Sequence, residues 1–354
     1  MKVKLGMIDK QLRFKGILMK ALTQKSSEAK YIASAKSAKK ALAARAGKNI
    51  DGLRCGEEWI PRRGGNGEIR IRIYRSPGGS GAAADPAGVP GILWLHGGGY
   101  SLGIPELNTD AYKNLIAAHD CVIVAPDYRL SIDAPYPAAL DDAYDTLLWM
   151  QANAARLGIR DDQLMAGGES AGGGLCAALS LYARDRGEVN LAFQMPLYPM
   201  IDDRMQGESA QDNNAPIWDS NSNRWAWKLY LGELHGGDVP QYAAADRAED
   251  YRGLPPTVTF AGELEPFRDE TVRYAERLRE AGVPVEFELY PGCYHAFDMM
   301  VPKADVSRRA TAFFMRAYKH AAEHYFAAQP GGPAVDAAAA DAGSPRSLLQ
   351  NDPQ

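Results

Sequence analysis

Short unbroken apolar runs recur along the middle of the chain. Ile92-Leu93-Trp94-Leu95 and Cys121-Val122-Ile123-Val124-Ala125 have the length and continuity of central parallel strands covered on both faces. Asp162 to Ala166, Phe193 to Tyr198 and Val258 to Ala261 predict further strands. Ile69-Arg70-Ile71-Arg72-Ile73 alternates strictly, which predicts a half-exposed strand near a sheet edge, and Val285 to Tyr290 alternates as well. Leu107 to His119, Ala138 to Ala155, Arg268 to Ala281 and Ala304 to Phe326 read as helices between or after these strands. Such alternation predicts an α/β fold, a doubly wound, mostly parallel central sheet with helices on both faces.

Three stretches depart from that rhythm. Residues 8–22 place Leu12, Ile17, Leu18 and Leu22 at helical spacing, and Glu28 to Ala46 continues in Ala and Lys up to Gly47, so 1–50 predicts two basic helices ahead of the main fold. Residues 203–242 are polar, then carry Trp218, Trp225 and Trp227. An insertion of this kind in an α/β chain sits over the carboxyl ends of the strands, where ligands bind. Residues 329–354 are rich in Ala, Gly, Pro and Ser and predict a disordered tail, and Pro77 to Pro90 predicts a mobile loop.

At 354 residues, with 46% hydrophobic and 24% charged positions, the chain has the composition of a soluble globular protein. The net charge of -4 argues against nucleic-acid binding by the chain as a whole. It hides an asymmetry: residues 1–50 hold 13 Lys/Arg against Asp9 and Glu28, or +11, which leaves -15 for the rest. A basic arm on an acidic body suits an anionic membrane or nucleic acid. Helices that lay one apolar stripe on the body account for the same composition, and that is the reading taken. Cys55, Cys121, Cys176 and Cys293 lack C-x-x-C spacing and read as free thiols of a reducing compartment. No run approaches the ~18 apolar residues of a membrane span, and Lys10, Arg13, Lys15 and Lys20 interrupt any signal-peptide core. The expected location is cytoplasmic.

The chemistry collects at two glycine-rich turns. Gly168-Glu169-Ser170-Ala171-Gly172 lies between a strand and an Ala/Leu-rich helix and fits the nucleophile elbow G-x-S-x-G, in which small residues flank a serine on a tight turn. A phosphate loop or plain tight packing would use similar glycines. His96-Gly97-Gly98-Gly99-Tyr100 follows directly on a core strand. Its glycines let backbone N–H groups approach a substrate oxygen, as an oxyanion hole requires. A flexible turn or phosphate cradle there would not predict a nucleophile elbow some 70 residues downstream.

These turns form an ordered series with Asp127-Tyr128-Arg129-Leu130, Tyr136-Pro137-Ala138-Ala139-Leu140-Asp141-Asp142, Glu265-Pro266-Phe267-Arg268-Asp269-Glu270 and Tyr294-His295-Ala296-Phe297. The series resembles the hormone-sensitive-lipase-like esterases of the α/β-hydrolase superfamily over about residues 55–325. The resemblance implies an α/β-hydrolase core, with a cap built from the N-terminal helices and the 203–242 insertion over a catalytic domain of 51–328. It implies hydrolysis of short- to medium-chain carboxylic esters with no metal or organic cofactor. Ser170 then stands as nucleophile, His295 as general base and acid, and Gly98, Gly99 and Ala171 as oxyanion donors. The family pattern D-P-L-R-D-E has Asp where this chain has Glu265, and its residue before the nucleophile is Asp where this chain has Glu169.

The acid can be argued from the residues. Triads of this fold run Ser…Asp/Glu…His, and either carboxylate orients the imidazole. Glu265 follows the strand Val258–Ala261 by a short loop stiffened by Pro266. Asp269, the alternative, sits near a helix start, where the helix dipole and free N–H groups already favour a carboxylate. Glu265 is the assignment. His96 reads as a brace for the glycine loop. His320 and His324, an i, i+4 pair, read as a solvated helix face, since no third metal ligand lies nearby in sequence. Tyr100 and Trp218 are candidate walls of the substrate pocket. The expected partner is a small-molecule ester, with no nucleic acid and no integral membrane segment; the oligomeric state stays open, a homodimer included. An amidase or thioesterase on the same triad, or a non-catalytic ligand receptor of this fold, are the alternatives.

Overall fold

The computed structural model describes residues 1–65, 67–78 and 88–331. Most of the expected Pro77–Pro90 loop, and the expected tail from 332 on, lie outside the described residues. Gln329, at the start of that tail, is tied down: its side chain donates to the carbonyls of Asp161 and Asn190.

Eight strands form one sheet: β1 (Arg54–Pro61), β2 (Glu68–Arg75), β3 (Val89–Leu95), β4 (Val122–Pro126), β5 (Ile159–Glu169), β6 (Phe193–Leu197), β7 (Thr257–Gly262) and β8 (Val285–Tyr290). Their order is β1-β2-β4-β3-β5-β6-β7-β8. β2 runs antiparallel to both of its neighbours, and the remaining pairs are parallel. The helices are α1 (Arg13–Thr23), α2 (Glu28–Ala43), α3 (Thr109–Ala118), α4 (Ala138–Ala152), α5 (Ala154–Leu157), α6 (Ala171–Arg186), α7 (Ser220–Leu231), α8 (Arg268–Glu280), α9 (Phe297–Met300) and α10 (Asp305–His324).

The unbroken apolar strands serve two cores at once, because successive side chains point to opposite faces. Leu93, Leu95, Val124 and Ala166 join Leu140 and Leu147 of α4 and Leu175 and Leu179 of α6 on one face. Ile92, Trp94, Ile123 and Met165 join Tyr112 of α3 and Phe313, Phe314 and Tyr318 of α10 on the other. From β3 the chain crosses to β4 on one side, then returns to β5 on the other. The strand order reverses there, and a crevice opens outside the carboxyl ends of β3 and β5, where ligands of open α/β sheets bind.

Two expectations change. The alternating strand β2 is buried on both faces, not half exposed: Arg70 and Arg72 retain only 7% and 3% of their exposure. Arg70 donates to Glu106 and Asp127, and Arg72 to Glu57, so ion pairing offsets the burial of charges that the pattern places in water. The polar strand β1 is the edge beyond it. The second change concerns α1. Leu12 and Gly16 are sealed against the body, but Phe14, Ile17, Leu18 and Leu22 are 82%, 53%, 47% and 59% exposed. Close approach selects the buried side. A Cβ on Gly16 would lie 2.8 Å from the Tyr294 ring, Asp9 N–H donates to the Gly292 carbonyl, and Tyr294 donates to the Leu12 carbonyl. The apolar stripe therefore faces solvent.

Candidate active site

Ser170 caps α6 at the carboxyl end of β5 with φ 59° and ψ -120°, a conformation that L-residues hold only where the surroundings enforce it. Its N–H donates to the Leu197 carbonyl, and its own carbonyl accepts from Gly174 and Met200. Glycine is required on the far side of the turn, since a Cβ on Gly172 would lie 2.0 Å from the Leu95 carbonyl oxygen. The backbone is thus pinned so that Oγ stands free of the sheet.

The imidazole of His295 meets that oxygen. Nε2 lies 2.8 Å from Ser170 Oγ and Nδ1 lies 2.5 Å from Glu265 Oε2. All three side chains are buried, Glu265 completely. The second oxygen of Glu265 accepts from Gly262 N–H at 2.6 Å, which fixes the carboxylate in its loop after β7. Asp269 is engaged elsewhere, by Arg268 and by the Ser209 N–H. Glu263 accepts from Gly292 N–H.

Two residues that sequence reasoning passed over hold the imidazole plane. Tyr198 and Phe267 stand edge-on to it at 5.1 Å and 5.0 Å. Their positions carry the signal: Tyr198 directly follows β6 at the carboxyl end of the sheet, and Phe267 is two residues past Glu265.

The glycine loop after β3 faces Ser170. Gly98 has φ +126°, and a Cβ there would lie 2.0 Å from the Leu102 carbonyl oxygen. Its own carbonyl accepts from Ser101 and Leu102, closing the turn. Among the described residues the N–H groups of Gly98, Gly99 and Ala171 meet no protein acceptor. Below the loop, His96 stacks on Tyr128 at 4.2 Å, and burial pushes its pKa down. Tyr128 donates to the His96 carbonyl at 2.6 Å.

Above Ser170 lies a cavity of about 380 Å³, walled by His96 to Gly99, Tyr198 and His295 from the sheet side, Tyr31 and Ala35 of α2, Leu22 of α1, and Ile217 and Trp218 of the insertion. Residues of 1–50 and of 203–242 thus meet over one site. Trp218 fills the space a side chain on Gly99 would need, with its ring 2.4 Å from that Cβ position. Tyr100 does not reach this cavity. It stacks on Tyr230 at 3.8 Å and donates to the Met200 carbonyl, because its φ of 57° turns the side chain under α7.

Behind Ser170 two acids lie near one another, Glu169 buried and Asp298 half-buried. Glu169 accepts from Trp94 Nε1–H and from the Asn108 amide. Burial, and then the charge of Asp298, push its pKa up to about 8. Burial pushes Asp298 up to about 6. Among the described residues no group of three His, Cys, Asp or Glu side chains is placed to hold a metal ion, and no helix is long and apolar enough to cross a membrane.

Residues 92–299 match the family model described as alpha/beta hydrolase fold. Esterase LipI of Mycobacterium tuberculosis is 34% identical over 221 residues, 62% of this chain and 68% of that protein. Carboxylesterase NlhH of the same species is 34% identical over 258 residues, 71% of this chain and 79% of that protein. A solved structure described as a bacterial heroin esterase superposes with a TM-score of 0.79 at 33% identity, covering 90% of this chain and 99% of the other.

Proposed function

This chain belongs to the α/β-hydrolase fold family, in its hormone-sensitive-lipase-like branch, and is a carboxylic ester hydrolase; from that premise we propose that Ser170 carries the acyl group of a short- to medium-chain ester. The observation that carries the reading is the bonded chain Ser170 Oγ–His295–Glu265 at the floor of the cavity. His295 Nε2 takes the hydroxyl proton as Oγ attacks the ester carbonyl. Glu265 holds the Nδ1–H tautomer and stabilises the imidazolium that forms. The carbonyl oxygen, now negative, collects the free N–H groups of Gly98, Gly99 and Ala171, which are oriented before the reaction and need not reorganise during it. As the C–O bond breaks, His295 returns the proton to the departing alcohol. Water, deprotonated by the same nitrogen, then attacks the acyl carbon, and His295 passes that proton to Ser170 Oγ as the acyl–Oγ bond breaks and the acid leaves. Tyr198 and Phe267 support the reading by keeping the ring between its two partners.

Two features favour a small acyl group: the cavity volume, and the Trp218 ring pressed against the glycine loop. The test is hydrolysis of p-nitrophenyl esters from acetate to laurate. The expected kcat/KM peaks in the short to medium range; a steady rise to laurate would set the acyl-length reading aside.

A further inference from the structure

Helix α1 has one apolar face too many for a helix that only packs on the body. Phe14, Ile17, Leu18 and Leu22 recur at i, i+3, i+4 and i+8, so they form one continuous stripe, and it is the solvent side that carries it. Leu22 belongs at once to this stripe and to the wall of the cavity over Ser170, and Met299, 39% exposed, belongs to the same wall. The stripe therefore runs to the cavity mouth. The first 25 residues hold seven Lys/Arg against one acid, Asp9. Among the described residues Lys10, Lys15, Lys20 and Lys25 form no ion pair within the protein.

A second copy of the chain is a poor occupant. Eleven helical residues span about 16 Å, and a stripe about 10 Å wide offers on the order of 160 Å², against roughly 800 Å² per partner in a stable protein interface. A lipid surface needs no complementary shape, and an apolar helix face flanked by cations is what an anionic one takes up. We propose that α1 lays this stripe into an anionic lipid surface, its lysines against the headgroups, and so turns the cavity mouth toward amphiphilic esters dissolved there. The esters in that statement rest on the proposed function; the docking does not.

Co-sedimentation of the full chain with phosphatidylcholine vesicles, with and without phosphatidylglycerol, tests it. Wild type is expected to partition onto the phosphatidylglycerol vesicles and to be released by high salt. The variant F14S/I17S/L18S is expected to bind at least about ten-fold more weakly, while hydrolysing dissolved p-nitrophenyl acetate at the wild-type rate. K10E/K15E should weaken binding to the anionic vesicles alone. Equal sedimentation of wild type and the serine variant overturns the proposal, and so does a wild type that stays in solution with both vesicles. A wild-type dimer, seen by light scattering, that the serine variant dissolves in the absence of vesicle binding also overturns it, in favour of a second copy. Sedimentation is read without turnover, so failed docking and failed ester hydrolysis are separate results.

Discussion

The carboxylate of Glu265 meets Nδ1 of His295 at 2.5 Å, with both side chains closed off from solvent. Asp269, four residues on, spends its oxygens on Arg268 and Ser209. Glu265→Gln is therefore expected to lower kcat by up to about 10⁴-fold, the scale of a histidine held in the wrong tautomer. Asp269→Asn is expected to stay within a few-fold of wild type in kcat and to lose stability instead, through its tie to the insertion. Steady-state kinetics beside thermal melts separate the two; the reverse ranking would move the acid to Asp269.

Trp218 reaches the cavity from the insertion, and its ring closes on Gly99. Removing the indole opens room beside the glycine loop. Trp218→Ala is expected to raise kcat/KM for longer acyl esters relative to acetate by about ten-fold, the scale at which an apolar pocket separates neighbouring substrates. An unchanged chain-length profile would show that Trp218 does not limit the acyl site.

Glu169 makes stability depend on pH. Below its ordinary 4.5 the carboxyl is protonated in both folded and unfolded chains. Between there and about 8 the unfolded chain gives up the proton while the folded one keeps it. The folded state is then the one binding more protons, so stability falls as pH rises through that window, by up to about 1.4 kcal/mol per pH unit. Glu169→Gln has no proton to lose. Its melting temperature relative to wild type is expected to rise between about pH 5 and about pH 8, and a constant difference would contradict the assignment.

Much of the fold is legible in the sequence because the central strands are apolar on both faces and need no partner to be recognised. The elbow is legible for a related reason: Gly168 and Gly172 are required by a turn whose geometry is local. What fails to show is what depends on the partner. β1, Arg54–Pro61, buries little beyond Ile60 and has no apolar pattern of its own; it is a strand because β2 offers an edge. Arg70 and Arg72 read as solvent-facing because the acids that cover them, Glu106, Asp127 and Glu57, are distant in sequence. The spacing of Ile17, Leu18 and Leu22 marks a helix, but periodicity alone cannot say which side is buried; Gly16 against Tyr294 decides it. Tyr100 misleads in the same way, since a position next to the glycine loop does not tell which way its side chain turns.

The central claim is that the acyl group passes through Ser170 Oγ, and Ser170→Ala measured on p-nitrophenyl butyrate tests it most directly. The variant keeps the backbone bonds of the elbow, so it is expected to melt within a few degrees of wild type. Its kcat is expected to fall by at least about 10⁴-fold. Wild-type turnover by a folded Ser170→Ala protein would contradict the account.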